Sequence, residues 1–479
     1  MSFKAKRGCK ILITFGPAIA DPEKLRQLIR RGVNGFRFNF SHGNIENHRP
    51  WLDKIRKISE EEGKVVACMA DLQGPKIRLG ELDEEPVLLQ DNQEVLLYPA
   101  NSEAPKSSQP VLPVSYDSLL QEIEVGEEVY INDGLVQLEI SAKEDNFLRA
   151  QVITGGELSS RKGVNLPGSD LKIPAMTDQD REDLEEIIRS DFDMVALSFV
   201  RRPRDLCPVR KLLHKSDRPV DLIAKIECRQ ALENLDAIIK EVEGVIVARG
   251  DLGVEITQQR VPYYQKQIIQ RANRRGRIAI TATQMLESMI HNQRPTRAET
   301  SDVANAVIDG SDVVMLSGET AIGNYPLRAA EAMIEIIRAT EQDFSPARDE
   351  LDIDAAGEEK KSAVSICNAA ADCVNDLGVR ALVVPTFSGF TARLASNLNV
   401  DSLIIAFCPS ITTLQKTALY RNVQPCVLEM MENTDELIEA VSEMVISRGI
   451  ATSGDRLLLL AGLPLSKPGV TNFLHLIEI

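Results

Sequence analysis

The chain has 479 residues, with 55 Lys and Arg against 71 Asp and Glu, for a formal net charge of −16. That sign argues against sequence-independent binding of nucleic acid and against attachment to an anionic membrane surface. A balance of 43% hydrophobic and 26% charged residues argues against wholesale disorder, and the length predicts about three domains.

The N-terminal stretch MSFKAKRGCKILITFGP has a short apolar run that ends in Gly-Pro, which reads as a strand and not as a signal peptide. Strands are expected at 10–15, 33–38, 64–70, 193–199, 220–226, 244–248, 277–282 and 312–316, each apolar on both faces as parallel strands are. Charged segments of helical period lie between most of them. One is DPEKLRQLIRRG, and another is TDQDREDLEEIIRS with Thr177 as its cap. Eight alternating units predict a (β/α)8 TIM barrel built from residues 1–72 and 170–343. Residues 73–169 interrupt it with alternating patterns such as EEVYINDGLVQLEIS, where Asp133-Gly134 signals a two-residue hairpin. This segment is read as an inserted β-barrel-like lid domain. An acidic connection at 341–360 leads to a C-terminal α/β domain over 344–479, with strands expected at 380–385, 402–407, 424–428, 456–461 and 474–479.

No run of 18 apolar residues exists, so no membrane-spanning helix is expected. The eight Cys are scattered without a CxxC pair, which fits a reducing cytoplasm. Five His without an HExxH pattern leave zinc hydrolysis without its usual ligands.

In such a barrel, chemistry sits at the C-terminal ends of the strands. The second strand runs into Arg37, Asn39 and Ser41, expected on one side of an extended chain. The third ends at Asp71 and the fourth at Ser198. The fifth carries Lys225 and Glu227 two residues apart, and the sixth leads into Arg249-Gly250-Asp251-Leu252-Gly253. The seventh ends in Thr281 and Thr283, the eighth in Ser317 and Glu319. Taken singly, each ending reads equally well as a structural ion pair or a turn. Seven together in buried strands need partners, and one shared ligand site is expected to supply them. Glu227 and Asp251 offer hard oxygen ligands without Cys or His, which suits Mg2+ or Mn2+. The helix opened by Gly250 suits an anionic group, and Arg37 and Lys225 add positive charge. Those parts describe phosphoryl transfer on a small polyanion. Neither a Walker loop nor the protein-kinase glycine set is present.

The segments CKILITFGPA, GVNGFRFNFSHG, ADLQGPKIR, KGVNLPG, LIAKIE, VARGDLGVEI and ATQMLESMIHNQRPTRAETSDVANAVIDGSDVVMLSGETAIGNYP closely resemble the pyruvate kinase family. The resemblance covers nearly all of the first 340 residues and continues more weakly to the end. It implies phosphoryl transfer from phosphoenolpyruvate to ADP, the last step of glycolysis, in a cytoplasmic homotetramer. It implies Glu227 and Asp251 as Mg2+ ligands, Lys225 as the stabiliser of the transition state, and Arg37 on the phosphoryl group. Gly250, Asp251 and Thr283 match the carboxylate corner of the substrate site, and Arg78 and Lys162 match contacts to nucleotide phosphates. Asn39, Ser41 and Asp71 match ligands of a monovalent ion. Ser317 and Glu319 line the far wall in the family.

Two departures stand out. Many members carry Glu and Thr where this chain has Lys76 and Leu79, so Lys76 is expected to replace the charge of K+. Thr386, Ser388, Gly389 and Thr391 resemble an effector-phosphate loop, but Phe390 stands where Arg is usual. A sugar phosphate or AMP is the effector class implied; a loop that binds nothing is the alternative. Two rival functions are a metal-dependent barrel lyase or aldolase acting on small oxo-acids, and a catalytically silent effector-binding homologue. The basic run Arg271–Arg277 reads as a solvated helix face or an intersubunit contact.

Overall fold

The computed structural model describes residues 7–479 except 168, 170, 345, 347–349, 399, 401, 430, 432 and 466–469. The first six residues of the basic N-terminus, Gly168 of KGVNLPG and part of the expected 341–360 connection therefore lie outside the described residues.

Eight parallel strands close into a barrel: Lys10–Thr14, Gly35–Asn39, Ala67–Asp71, Met194–Leu197, Asp221–Ile226, Gly244–Ala248, Ile278–Ala282 and Val313–Leu316. They neighbour one another in chain order, and the eighth pairs with the first through Lys10 and Val313. Alternate side chains of each strand divide between two cores. Ile11, Ile13, Phe36, Phe38, Val245 and Val247 face the surrounding helices. Leu12, Met69, Met194, Ile246, Ile280 and Met315 fill the interior, and that cluster continues without a break into the C-terminal domain through Leu419 and Tyr420.

Local signals set the helix ends. Asp21 accepts the Lys24 amide at 2.9 Å to start Pro22–Arg31, and Gly32 ends it in the left-handed region. Thr177 caps Asp178–Ile187 as expected, with Asp180 answering back to the Thr177 amide at 2.9 Å.

Between the third and fourth strands lies a curled six-stranded sheet that runs, edge to edge, Val164–Asn165, Glu128–Ile131, Val136–Lys143, Leu148–Thr154, Glu94–Pro99 and Val111–Val114. Its core includes Val95, Leu97, Leu138 and Val152. The hairpin at Asp133-Gly134 forms, but residues 132–135 make a four-residue connection in place of the expected two. Asn132, Asp133 and Gly134 all have positive φ, so three consecutive left-handed residues turn the chain.

The C-terminal domain has a five-stranded sheet in the order Val423–Val427, Leu403–Cys408, Ala381–Pro385, Arg456–Ala461 and Phe473–Glu478, with the last strand antiparallel. It docks on the N-terminal face of the barrel, where Lys416 Nζ meets Asp221 Oδ1 at 3.1 Å and Arg421 Nη1 donates to Ser311 O at 3.0 Å.

Candidate active site

The fifth strand places Lys225 and Glu227 on one face two residues apart, and their charges meet at 2.8 Å. Lys225 Nζ also donates to Ser198 Oγ at 2.8 Å and lies 3.6 Å from Asp71 Oδ1. Ser198 passes the contact on by donating to Leu72 O at 2.8 Å. Asp71, at the end of the third strand, takes Arg37 Nε and Nη2 on its other oxygen, both at 2.7 Å. Arg37 reaches back to Thr14 Oγ1 at 3.1 Å. Four consecutive strand ends therefore supply Arg37, Asp71, Ser198 and the Lys225–Glu227 pair to one connected network.

The electrostatics follow from burial and these neighbours. Burial opposes the Lys225 charge, but Asp71 and Glu227 outweigh it and hold the ammonium above the ordinary lysine value. Burial pushes the Glu227 carboxyl up; Lys225 pulls it down and Asp251 pushes it up again. With an ammonium at 2.8 Å and the Phe199 amide donating at 2.7 Å, Glu227 and Lys225 stand as an ion pair.

The sixth and seventh strand ends form the opposite wall. Helix Arg249–Ile256 begins directly after its strand, and Gly250 donates its amide to Thr283 Oγ1 at 2.9 Å. Arg249 is buried and ties the wall together. It donates to the carbonyl of Thr283 at 2.6 Å and of Gln284 at 3.1 Å, and pairs with Asp302 at 2.7 Å. Asp251 is partly exposed at the rim, and Lys76 Nζ approaches its Oδ1 at 3.8 Å.

Phe199, Thr283 and Gln284 have φ of +54°, +66° and +52°. Three non-glycine residues in the left-handed region at one rim are strained backbone held by its surroundings, a feature concentrated at functional sites. The strain at Phe199 aims its amide at Glu227 Oε2.

The shared-site expectation needs correction at three positions. Glu319 is buried and spends its carboxylate on the amides of Leu286 (2.9 Å) and Ser317 (2.7 Å), so it staples a turn. Thr281 hydrogen-bonds Ser311 at 2.7 Å, outside the cluster. Ser41 does not continue an extended chain with Arg37 and Asn39. Residues 40–42 form a 3-10 turn, and the Asn39 side chain accepts the Ser41 amide at 3.2 Å. Ser317 Oγ is buried without a hydrogen-bond partner among the described residues.

Arg78 and Lys162 lie on the two arms that join the curled sheet to the barrel. The arms pair at Arg78 and Gly163, Leu79 donates to Lys162 O at 2.8 Å, and Arg78 Nη1 donates to Arg161 O at 3.1 Å. Neither side chain contacts the Lys225 network. The loop at 386–391 spends its hydroxyls internally. Thr386 Oγ1 accepts the Gly389 amide at 3.0 Å, Ser388 Oγ accepts the Phe390 amide at 3.4 Å, and Thr391 bonds Thr471 at 2.7 Å. Gly389 has φ +82°, and a Cβ there would come within 3.1 Å of Tyr420 Oη, so any side chain at this turn would be strained and crowded.

Sequence reasoning assigned no role to Ser198 and Arg249. Ser198 carried a polar-ending signal; the role of Arg249 depends on a loop shape that the sequence does not show. Glu227 Oε1 and Asp71 Oδ1 face the Lys225 ammonium at 2.8 and 3.6 Å and have no other partner among the described residues. Among the described residues no three His, Cys, Asp or Glu side chains gather closely enough to enclose a metal unaided. Buried Glu227 and part-exposed Asp251, whose charges act on each other, fit a hard divalent ion that takes its other ligands from water and substrate oxygens.

Two family models match the chain, "Pyruvate kinase, barrel domain" over residues 6–330 and "Pyruvate kinase, alpha/beta domain" over 364–477. The chain is 38% identical over 473 residues to a pyruvate kinase of Sporosarcina psychrophila and 37% identical over 480 residues to one of Staphylococcus aureus (strain MRSA252). Each match covers 98% of this chain and 80% of the relative. A crystal structure of a pyruvate kinase from Cryptosporidium parvum superposes with a TM-score of 0.90 at 31% identity, covering 99% of this chain and 96% of that one.

Proposed function

Because the chain belongs to the pyruvate kinase family, we propose that its Lys225 network performs phosphoryl transfer between phosphoenolpyruvate and ADP, and we assign the residues as follows. The enzyme is a phosphotransferase of glycolysis. The observation that carries the residue assignment is the convergence of Lys225, Glu227, Asp71 and Arg37 within direct contact at the barrel rim.

Arg37, fixed by Asp71, presents a planar donor set to the phosphoryl group. Lys225 faces the oxygen that becomes an enolate as the bond to phosphorus breaks. At about 4 Å and an effective dielectric near 20, its charge contributes on the order of 4 kcal/mol, or about three powers of ten in rate. The backbone amides of Gly250 and Asp251, with the Thr283 hydroxyl, would receive the substrate carboxylate once the Gly250 amide leaves Thr283 Oγ1. Arg78 and Lys162, at the root of the inserted sheet, meet the nucleotide phosphates when that sheet closes and excludes water. Glu227 and Asp251 would hold Mg2+ or Mn2+. That ion supplies charge neutralisation between the two anionic substrates. Lys76, beside Asp251, supplies fixed positive charge in place of K+.

In this reading residues 1–72 and 170–343 are the catalytic unit, 73–169 the lid and 344–479 the regulatory unit of a cytoplasmic homotetramer. No helix among the described residues is long and apolar enough to cross a membrane. An effector bearing phosphate, either a sugar phosphate or AMP, would sit at Thr386–Thr391, where the loop would have to release its internal hydrogen bonds.

A coupled assay of pyruvate formation with Lys225→Met tests the assignment, run with and without Mg2+ and candidate effectors. We expect a fall in kcat of about a thousandfold with the fold intact. Turnover near that of the wild type would reject the role of Lys225.

A further inference from the structure

The inserted sheet is carried on two arms, and those arms are tied to each other. Val164 donates its amide to Ile77 O at 2.9 Å and Leu79 to Lys162 O at 2.8 Å, which joins the arms in one ribbon. Where sheet and arms rest on the barrel, they meet helix Arg249–Ile256 along its length. Lys76 Nζ lies 3.8 Å from Asp251 Oδ1. The hairpin tip comes against Val254, since a Cβ on Gly134 would stand 3.7 and 3.8 Å from its two methyl groups. In the last turn of the helix, the Glu255 carboxyl takes a hydrogen bond from the side chain of Asn165, which belongs to the short strand Val164–Asn165.

Glu255 sits in a groove between arms and barrel, lined also by Ile77, Leu166, Phe199, Cys228 and Gln230. Burial there pushes its carboxyl up to about 7. The Asn165 side chain, the Arg229 amide and the Arg229 charge pull it back, while Asp251 pushes it further up. An amide side chain suits either protonation state, because its NH2 donates to a carboxylate and its oxygen accepts from the neutral acid. Freeing Asn165 would leave a sequestered carboxyl short of a partner, so the contact resists separation of sheet and helix. The hydrogen-bond partners of Glu255 lie outside the Lys225 network. Asn165, however, stands only three residues after Lys162 on the same arm.

We propose that Asn165 and Glu255 form a latch that seats the inserted sheet on this helix, which makes Glu255 a positioning residue for the nucleotide contacts of the arms. This rests on the phosphoryl-transfer reading, in which Arg78 and Lys162 meet the nucleotide phosphates. An arm freed from the helix gives Lys162 more orientations to lose on binding ADP. The reacting groups around Lys225 are untouched, so loss of the latch weakens ADP and spares phosphoenolpyruvate.

The test is a double-mutant cycle on Glu255→Ala and Asn165→Ala in the full chain, with Glu255→Gln as the isosteric control. In steady-state pyruvate formation, KM for ADP is expected to rise about fivefold in each alanine variant, the scale of one hydrogen bond. KM for phosphoenolpyruvate and kcat are expected to stay within about twofold of wild type. The double variant should match the single ones, because both remove the same contact, and Glu255→Gln should keep the wild-type KM. Hydrogen exchange of the Val164 and Asn165 amides should quicken in both alanine variants, a readout that does not depend on catalysis. Either single variant carries the exchange measurement if the other fails to fold. Wild-type KM and exchange in the alanine variants would overturn the latch. Additive effects in the double variant would overturn it too, as would a fall in kcat matching the rise in KM, the mark of a distorted helix. A wild type that forms no pyruvate would instead reject the phosphoryl-transfer reading, and exchange alone would then decide whether the latch exists.

Discussion

Asp71 serves two cations at once. One oxygen takes Arg37 in two contacts of 2.7 Å, and the other faces Lys225 at 3.6 Å without a hydrogen bond of its own. It is 1% exposed, so its charge is poorly screened. Asp71→Asn keeps the shape and removes the charge that orients both groups. We expect kcat to drop about a hundredfold, the scale of a misplaced catalytic group, with an unchanged thermal transition. An unchanged kcat would show that Arg37 and Lys225 hold their positions without it. Lys76 makes a separate claim. Its ammonium approaches Asp251 at 3.8 Å and has no contact with Asn39, Ser41 or Asp71. If it replaces a monovalent ion, activity in K+ and in a bulky organic cation will be similar, and Lys76→Glu will acquire K+ dependence. A many-fold K+ stimulation of the wild type would reject this.

At the scale of elements, the rim is shaped by turns as much as by strands. Glu319 belongs to the turn after the eighth strand, where it satisfies two buried amides. Glu319→Gln offers one acceptor oxygen and sets an NH2 against an N–H. We expect a stability loss of about 1–3 kcal/mol in urea unfolding, with kcat little changed. A large fall in kcat at full stability would make Glu319 part of the chemistry. These turns also mark where the sequence stops being readable. Lys225 and Glu227 were legible as partners because a strand repeats every two residues. The direction of Ser41 and Glu319 was not, because it is set where the strand has already ended; Thr281 lies within Ile278–Ala282, on the face opposite Ile280 and Ala282. Phe199 and Thr283 adopt left-handed conformations that their residue types disfavour, so propensity pointed the wrong way. The barrel strands were legible because burial on both faces leaves continuous apolar runs, whereas the Asp133-Gly134 connection was misjudged in length because Asn132 joins the turn.

For the whole molecule, the informative surface is the floor of the barrel. Lys10 is 8% exposed and donates to Val423 O of the C-terminal domain at 2.7 Å. Burial, with Arg7 and Arg421, pushes its pKa down to about 7 from 10.5, against the opposing pull of Cys9 and Glu341. Between those values the unfolded chain binds more protons than the folded one, so this group's contribution to stability rises with pH. Below about 7 the penalty of burying the charge is present in full. Lys10→Met removes that penalty. Urea unfolding is expected to show the variant more stable than wild type at pH 7, with the difference shrinking by pH 9.5. A difference that does not vary with pH would mean that Lys10 is not buried as described. A further consequence comes from the hydrophobic cluster that runs from Leu12, Met69 and Ile246 to Leu419 and Tyr420. The barrel does not seal its own lower mouth; its neighbour is the stopper. Gly35 shows how close the fit is, since a methyl group there would come within 3.1 Å of Leu419. A chain cut between the two would leave an open greasy hole in one fragment and a bare patch on the other, so these parts fold and unfold as one object.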